Sequence, residues 1–456
     1  MATRESNRQA DTLHHLHPFS NFKRHEKEGP LVITRGEGIW VYDDAGRKYL
    51  EGLAGLWCVS LGFNNKRLID AAKRQLDKLP FYPTFYGRTS DVTAELSGRL
   101  AAVVPIKGAR FLFANSGSEA NDLAVNVIWY YNNARGRPEK KKIISRLKGY
   151  HGSTLAAGSL TGLPIVHAQF DLPLPRFLHT DCPHYYGNSH AGETSSAFVD
   201  RMVNNLERMI EAENPNTVAA FIAEPIQGSG GVIVPPAEYF DKVQKVLKKH
   251  DILFLVDEVI CGFGRTGNMF GSDTYDLSPD MMTFAKQLSS GYQPISALAV
   301  SQGMYEVLSE ASERNVVFGH GFTYSGHPVA AAVALEVLDI YSEMDIVGHV
   351  RSVQDHFQQG LQRFAQHPLV GEVRGRGLLA GIQLVADKAS RRPFDPVGSA
   401  GRKFSDFALS HGLIIRAVGD TIAICPPLII QAQEIDVLIA RFGAALDDTH
   451  RSLESH

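Results

Sequence analysis

Of the 456 residues, 44% are apolar, 21% charged and 9% aromatic, ordinary globular values that exclude a disordered, collagenous or disulfide-scaffold chain. Forty-six basic side chains against 49 acidic ones leave a formal charge of −3, with no electrostatic footprint for nucleic acid. The four cysteines (Cys58, Cys182, Cys261, Cys425) form no C-x-x-C pair, which points to a reducing compartment and away from a cysteine-built zinc site. The first 19 residues are polar and lack the apolar core of a secretory signal, and no uncharged apolar run approaches the ~20 residues of a membrane span. A soluble, cytoplasmic protein is expected. His14, His15 and His17 have no carboxylates or further histidines at evident ligand spacing, so they are expected to pack the terminus and hold no metal. Residues 38–53 read as two short strands around a turn at 44–46. Apolar runs at 110–114, 142–145, 218–223, 252–256 and 281–285 read as strands, and the segments 119–131, 196–213 and 237–250 between them as amphipathic helices. In the last of these, Phe240, Val243, Val246 and Leu247 fall at helical spacing with lysines opposite. The lysine run 140–142 reads as solvated surface.

Strands apolar throughout and separated by helices define an α/β fold with a mostly parallel central sheet flanked by helices. Ligands of such folds bind beyond the carboxyl ends of the strands. After about residue 326 the pattern changes to two long helices, 327–344 and 350–367, followed by short apolar runs at 378–385, 413–418 and 422–427. These form a smaller α+β unit, which the N-terminal strands are expected to join because chain ends often lie close together. The expected division is 1–59 as the N-terminal part of the small domain with an interface arm, 60–326 as the large domain, and 327–456 as the remainder of the small domain.

Lys286 is the most informative residue, being the only charge in the 25 residues from Met281 to Tyr305. Desolvation disfavours an ammonium, so a lysine in such company keeps a usable lone pair, as a Schiff-base lysine requires. A lone lysine snorkelling to solvent is the ordinary alternative. Asp257 follows the run 252–256, where a carboxylate would reach the ligand edge and could hold a pyridine nitrogen protonated; capping the next element is its ordinary role. Glu258 should point the other way. Glu224, the only charge between Asn214 and Ala237, reads as an orienting group behind the site. Ser116, Gly117 and Ser118 open a helix in NSGSEAND, where small residues and the helix end suit a phosphate, or where a serine simply caps the helix. Tyr150 and His151 follow the run 142–145; an aromatic ring there could cover a flat cofactor, or belong to the core. A Walker loop and a dinucleotide glycine fingerprint are both missing, and GRGLLAG at 375–381 has the wrong spacing. Taken strand by strand, the set suggests a flat, phosphorylated pyridine aldehyde held by a lysine.

The blocks NSGSEAND, GYHGST, AEPIQGSGG, VDEVICGFGRTG, TFAKQLSSGY and GFTYSGHP follow one another in the order seen in class III pyridoxal-phosphate-dependent aminotransferases. The resemblance runs from about residue 17 to 427, and HLHPF, GLWCVSLG and FYPTFYG resemble the ω-amine:pyruvate branch. It implies a fold-type I enzyme that binds pyridoxal 5'-phosphate. Lys286 would carry the cofactor and shuttle the proton, and Asp257 would partner the pyridine nitrogen. Ser116, Gly117 and Ser118 would meet the phosphate, and Tyr150 would stack on the ring. His151, Glu224, Val259 and Phe322 would be further cofactor contacts, with Thr323 reaching the phosphate of the neighbouring subunit. Trp57, Phe85 and Tyr150 would wall the substrate pocket, and Arg416 would be a mobile partner for a substrate carboxylate. Pro83, Tyr86 and Cys58 would bear on which amines fit. The implied partners are amine and keto-acid substrates and a second copy of the chain, in a homodimer with shared active sites or a tetramer. Neither nucleic acid nor membrane is implied. The implied reaction carries an amino group from an ω-amino acid or primary amine to pyruvate, giving alanine. A diamine (putrescine) or taurine aminotransferase, or a decarboxylating or aminomutase relative, are the alternatives.

Overall fold

The computed structural model describes residues 4–315 and 317–454. Seven strands form the central sheet, in the order Arg110–Ala114, Ser296–Val300, Met281–Phe284, Leu253–Asp257, Val218–Ala223, Lys142–Arg146 and Phe177–Thr180. Ser296–Val300 runs antiparallel to both its neighbours, and the remaining pairs are parallel. The alternation of side chains along each strand feeds two apolar layers. Phe221, Val256, Met282 and Phe284 pack on one side with Phe198, Leu206, Phe240 and Val243 of the helices Ser195–Ala212 and Tyr239–Lys249. Ala220, Ile222, Leu255 and Met281 pack on the other with Leu123, Val127 and Ile128 of the helix Gly117–Ala134. Burial on both faces is why these strands carry no polar alternation.

Two short strands escaped the sequence reading for opposite reasons. Phe177–Thr180 is a half-buried edge strand, and Ser296–Val300 is alanine-rich, with little β-branched signal. The strands Trp40–Asp43 and Lys48–Glu51 flank the expected turn, but a third strand, Ile33–Glu37, precedes them on the exposed edge. Leu413–Ile414 pairs in parallel with Lys48–Glu51, so the two ends of the chain do meet in one sheet. A second small sheet holds Val370–Arg376, Leu379–Leu384, Thr421–Ile424 and Arg416–Val418. The helix Pro328–Glu343 lies against the helices Lys66–Lys78 and Asp91–Val103 and the turn that carries Lys286. Arg67 donates to Glu336 and Glu343 (2.6 Å each) and Arg99 to Asp339 (2.7 Å), along the same seam.

The lysine run is not solvated surface. Lys140 and Lys141 are 4% and 9% exposed, and the Lys141 ammonium donates to the Trp129 carbonyl (2.9 Å) and Asn133 Oδ1 (2.7 Å). Lys142 pairs with Glu213 at 2.7 Å. Helix-end carbonyls satisfy these cations, and such acceptors are tertiary features that a run of like charge cannot reveal. No helix among the described residues is long and apolar enough to cross a membrane.

Candidate active site

The helix Gly117–Ala134 opens directly at the end of the strand Arg110–Ala114. Ser116 caps it, its Oγ accepting from the Glu119 N–H (3.2 Å), while Glu119 reaches back to the Asn115 N–H (2.7 Å). The Gly117 and Ser118 N–H groups make no hydrogen bond among the described residues, so they remain available to an anion at the positive end of the helix. Ser116 is thus the cap, and the N–H groups of the two residues after it are left open. Gly117 is needed for space, since a Cβ there would stand 3.2 and 3.3 Å from the two Val259 methyls.

Asp257 ends the strand Leu253–Asp257 and is 2% exposed. Its Oδ2 accepts from Asn121 Nδ2 (2.9 Å) and faces His151 Nδ1 at 2.8 Å; its Oδ1 accepts from the Val259 N–H (3.0 Å). The same Asn121 amide donates to the His151 carbonyl (2.7 Å), which ties the two elements together. Both oxygens of the carboxylate are thus held in place where the side chain lines the cavity. Glu258 does turn away, accepting from Gly271 and Ser272, and burial pushes its carboxyl up to about 7.

Glu224 holds the main chain of the aromatic segment. It accepts from the Tyr150 N–H (2.9 Å) and the Gly228 N–H (2.8 Å), and burial raises its pKa. Lys286 follows the strand Met281–Phe284 at φ 46°, a left-handed conformation that strains a non-glycine residue. Its neighbour Gln287 clamps the turn by donating to the Ile260 and Gly262 carbonyls (2.8 Å each).

A cavity of about 360 Å³ joins these elements, lined among others by Lys286, Asp257, Val259, Tyr150, His151 and Ser116–Ser118. Eight expected cofactor residues thus share one space. Glu224 stands behind it through Tyr150. Arg416, half-buried on its strand, acts electrostatically on Tyr150; burial lowers its pKa, and its guanidinium has no hydrogen bond or ion pair among the described residues. The other expected residues lie elsewhere in this chain. Trp57 is 1% exposed and packs among Leu53, Ile226 and Ile260, whereas its neighbour Cys58 lines the cavity. Phe85 lines a separate cleft of about 810 Å³ with His320 and Gly321. Phe322 is half-buried, its N–H donating to Ser325 Oγ (3.1 Å), and Thr323 is exposed. Sequence reasoning passed over Asn121. It lies four residues beyond Gly117, on the same helical face as the cradle, so its place was readable from spacing.

A lysine amine, a buried carboxylate fed by three donors, and a glycine-opened helix end facing one cavity fit a phosphorylated pyridine aldehyde, and with the α/β sheet they define a pyridoxal-phosphate enzyme. The chain belongs to the aminotransferase class-III family, whose model matches residues 22–446. It is 52% identical over 426 residues to gamma aminobutyrate transaminase 3, chloroplastic, of Solanum lycopersicum, covering 93% of this chain and 82% of that one. It is 50% identical over 440 residues to a vanillin aminotransferase of Capsicum annuum, covering 96% of both. Among solved structures, an omega transaminase from Pseudomonas jessenii in complex with PMP superposes with a TM-score of 0.96 at 51% identity, covering 97% of this chain and 98% of that one. The protein is an aminotransferase that uses pyridoxal phosphate.

Proposed function

We propose that this aminotransferase takes an amino group from an ω-amino acid or primary amine and delivers it to pyruvate, giving alanine, in two half-reactions through one cavity. The observation that carries the acceptor is Arg416, a half-buried guanidinium next to Tyr150 with no acid to neutralise it among the described residues. A planar fork of donors at that place suits the carboxylate of a keto acid bidentately. Left rigid against an apolar amine it would be an unpaired charge in a desolvated pocket, so it is expected to swing away when such a donor enters.

Pyridoxal phosphate, when bound, supplies the carbonyl that accepts the amino group and a ring that withdraws electrons from the reacting carbon. Asp257 would hold a proton at the ring nitrogen, and Asn121, His151 and the Val259 N–H fix its carboxylate for that task. The Gly117 and Ser118 N–H groups would bind the phosphate. Tyr150 would cover one face of the ring, held in place by Glu224 through its main chain. The Lys286 amine would take a proton from the substrate carbon and return it, which is general acid–base work by a positioned group.

Phe85, Phe322 and Thr323 stand apart from the Lys286 cavity, which supports a homodimer in which they serve the other copy's site. Tyr86 and Tyr324, 85% and 58% exposed, are large apolar side chains of the kind a partner covers. All four cysteines are free thiols, which supports a reducing, cytoplasmic setting.

The test is a panel of amine donors with pyruvate as acceptor, following alanine. Alanine formation supports the reading, and glutamate from 2-oxoglutarate without any alanine from pyruvate would refute it. Among such donors γ-aminobutyrate, itself an ω-amino acid, is favoured by the names of the plant relatives, and the same panel decides it.

A further inference from the structure

The strand Lys48–Glu51 runs into a tight turn that ends at the cavity, and one buried carboxylate organises it. Ala54, Gly55 and Trp57 all have positive φ (49°, 70° and 65°). Left-handed backbone at an alanine and a tryptophan persists only where the surroundings over-determine it. The Trp57 and Cys58 N–H groups bond back to the Leu53 and Ala54 carbonyls (2.8 and 3.0 Å), and Gly52 is fixed between Ile414 and Cys425 (2.9 and 2.8 Å). Glu51, 6% exposed, turns its side chain into this segment. Its Oε1 accepts from the Leu53 N–H (3.0 Å), and the Gly55 backbone adds a further hydrogen bond to the carboxylate. At the far end of the turn Cys58 lines the cavity, feels the charge of Lys286, and has its Cβ 3.1 Å from where a Cβ on Gly291 would stand.

We infer that Glu51 is a positioning residue: by holding the Leu53 and Gly55 backbone it sets the turn that delivers Cys58 to the cavity wall beside Lys286, and with it the fit of the substrate. The inference rests on the proposed reading of that cavity as the active site. Glu51 has no cation partner among the described residues; burial and the two backbone donors are what act on it. Lys286 and Arg265 act on Cys58 and Cys425 instead, and Cys425 is the titratable neighbour that feels Glu51. A carboxylate buried without a cation is costly, and an apolar side chain of the same volume would avoid that cost. What the carboxylate supplies is aim, because its acceptors go to the N–H groups where the turn begins. Burial pushes the Glu51 carboxyl up to about 7, so a neutral acceptor of the same shape also suits the place.

The test compares Glu51→Ala and Glu51→Gln with wild type, each as full-length holoenzyme. Methyl methanethiosulfonate labels the thiols, and mass spectrometry of the peptides reads Cys58 apart from the buried Cys182, Cys261 and Cys425. Steady-state kinetics, with whichever donor and acceptor the amine panel identifies, give KM and kcat. Loss of a hydrogen bond to a charged group corresponds to about tenfold or more. Glu51→Ala should therefore speed labelling of Cys58 alone by at least about tenfold, and raise KM by a similar factor with kcat within about threefold of wild type. Glu51→Gln should restore both to within about threefold of wild type. If Glu51→Ala fails to fold, judged by cofactor content and circular dichroism, Glu51→Met fills the volume without an acceptor and makes the same comparison. Four thiols labelled together would mark a role in global stability only and overturn the inference. So would an unchanged Cys58 rate, an unchanged KM, or a glutamine that restores nothing. Failure of pyruvate as acceptor counts against the proposed reaction alone, since the labelling needs no turnover.

Discussion

Asn121 gives the sharpest test of how the site is held. Its amide donates at once to Asp257 Oδ2 (2.9 Å) and to the His151 carbonyl (2.7 Å), and the side chain is 1% exposed. Asn121→Ala deletes both bonds. A bond to a charged acceptor is worth about 1.5–3 kcal/mol and a neutral one about 0.5–1.5 kcal/mol, so the loss should be about 2–4 kcal/mol. Part should appear as lower resistance of the apo protein to urea. The rest should appear as weaker cofactor retention, because Asp257 would keep only His151 and Val259 to aim it. Urea denaturation of the apo protein with equilibrium dialysis of the cofactor separates the two shares. If the midpoint and the cofactor affinity both match wild type, Asn121 is not the tie described here.

Gly152→Ala should cost about 3 kcal/mol or more in thermal stability, since φ there is +137° and a Cβ would sit 2.5 Å from Ser118 Oγ and 2.7 Å from Ala157 Cβ; an unchanged melting temperature would contradict the packing. Glu258 is buried and its carboxyl is raised from an ordinary 4.5 to about 7, so the native state binds the extra proton between those values. Its contribution is present at low pH and is lost as pH rises from 4.5 to 7, by at most about 3 kcal/mol, and Glu258→Gln should flatten that part of the stability–pH curve. Lys286→Ala should lose turnover by more than about a thousandfold, and borohydride should fix cofactor to the wild-type chain but not to the variant. Arg416→Ala should slow the keto-acid half-reaction at least about tenfold more than the half-reaction of a simple amine, as measured by single-turnover absorbance; equal slowing would remove its proposed role.

What could be read from sequence was what each strand carries at its end. Lys286 stood out because 24 neighbours in its 25-residue window are uncharged, and burial of the strand before it follows directly from that composition. Glu224 was marked by the same contrast, and Asp257 by its place at the end of an apolar run. Position within a strand also fixed that Glu258 faces away, since alternate side chains point to opposite faces. Legibility failed where the partner is distant in sequence. Lys141 is satisfied by a carbonyl and an asparagine side chain of a helix packed beside it, and Trp57 is placed by a cluster drawn from five segments of the chain. Phe85 and Thr323 read as site residues only through resemblance, because nothing in this chain alone brings them to Lys286.

The cavity's carboxylates and the other polar side chains around it differ in how fully they are satisfied, and that difference bears on function. Around Asp257 and Glu224 every carboxylate oxygen has a donor at hydrogen-bond distance, so these groups have one arrangement and little freedom. At Cys58, which lines the cavity, and at Arg416 and Trp57, which do not, the pattern reverses. The Arg416 guanidinium is unpaired among the described residues, the Trp57 Nε1 is buried without an acceptor, and the Cys58 thiol bonds only to the Leu56 carbonyl (3.0 Å). A polar group buried without a partner is costly, so a substrate that supplies the partner is favoured there. Fixed carboxylates beside polar groups still open to a substrate suit an enzyme that must accept an amine and a keto acid in turn.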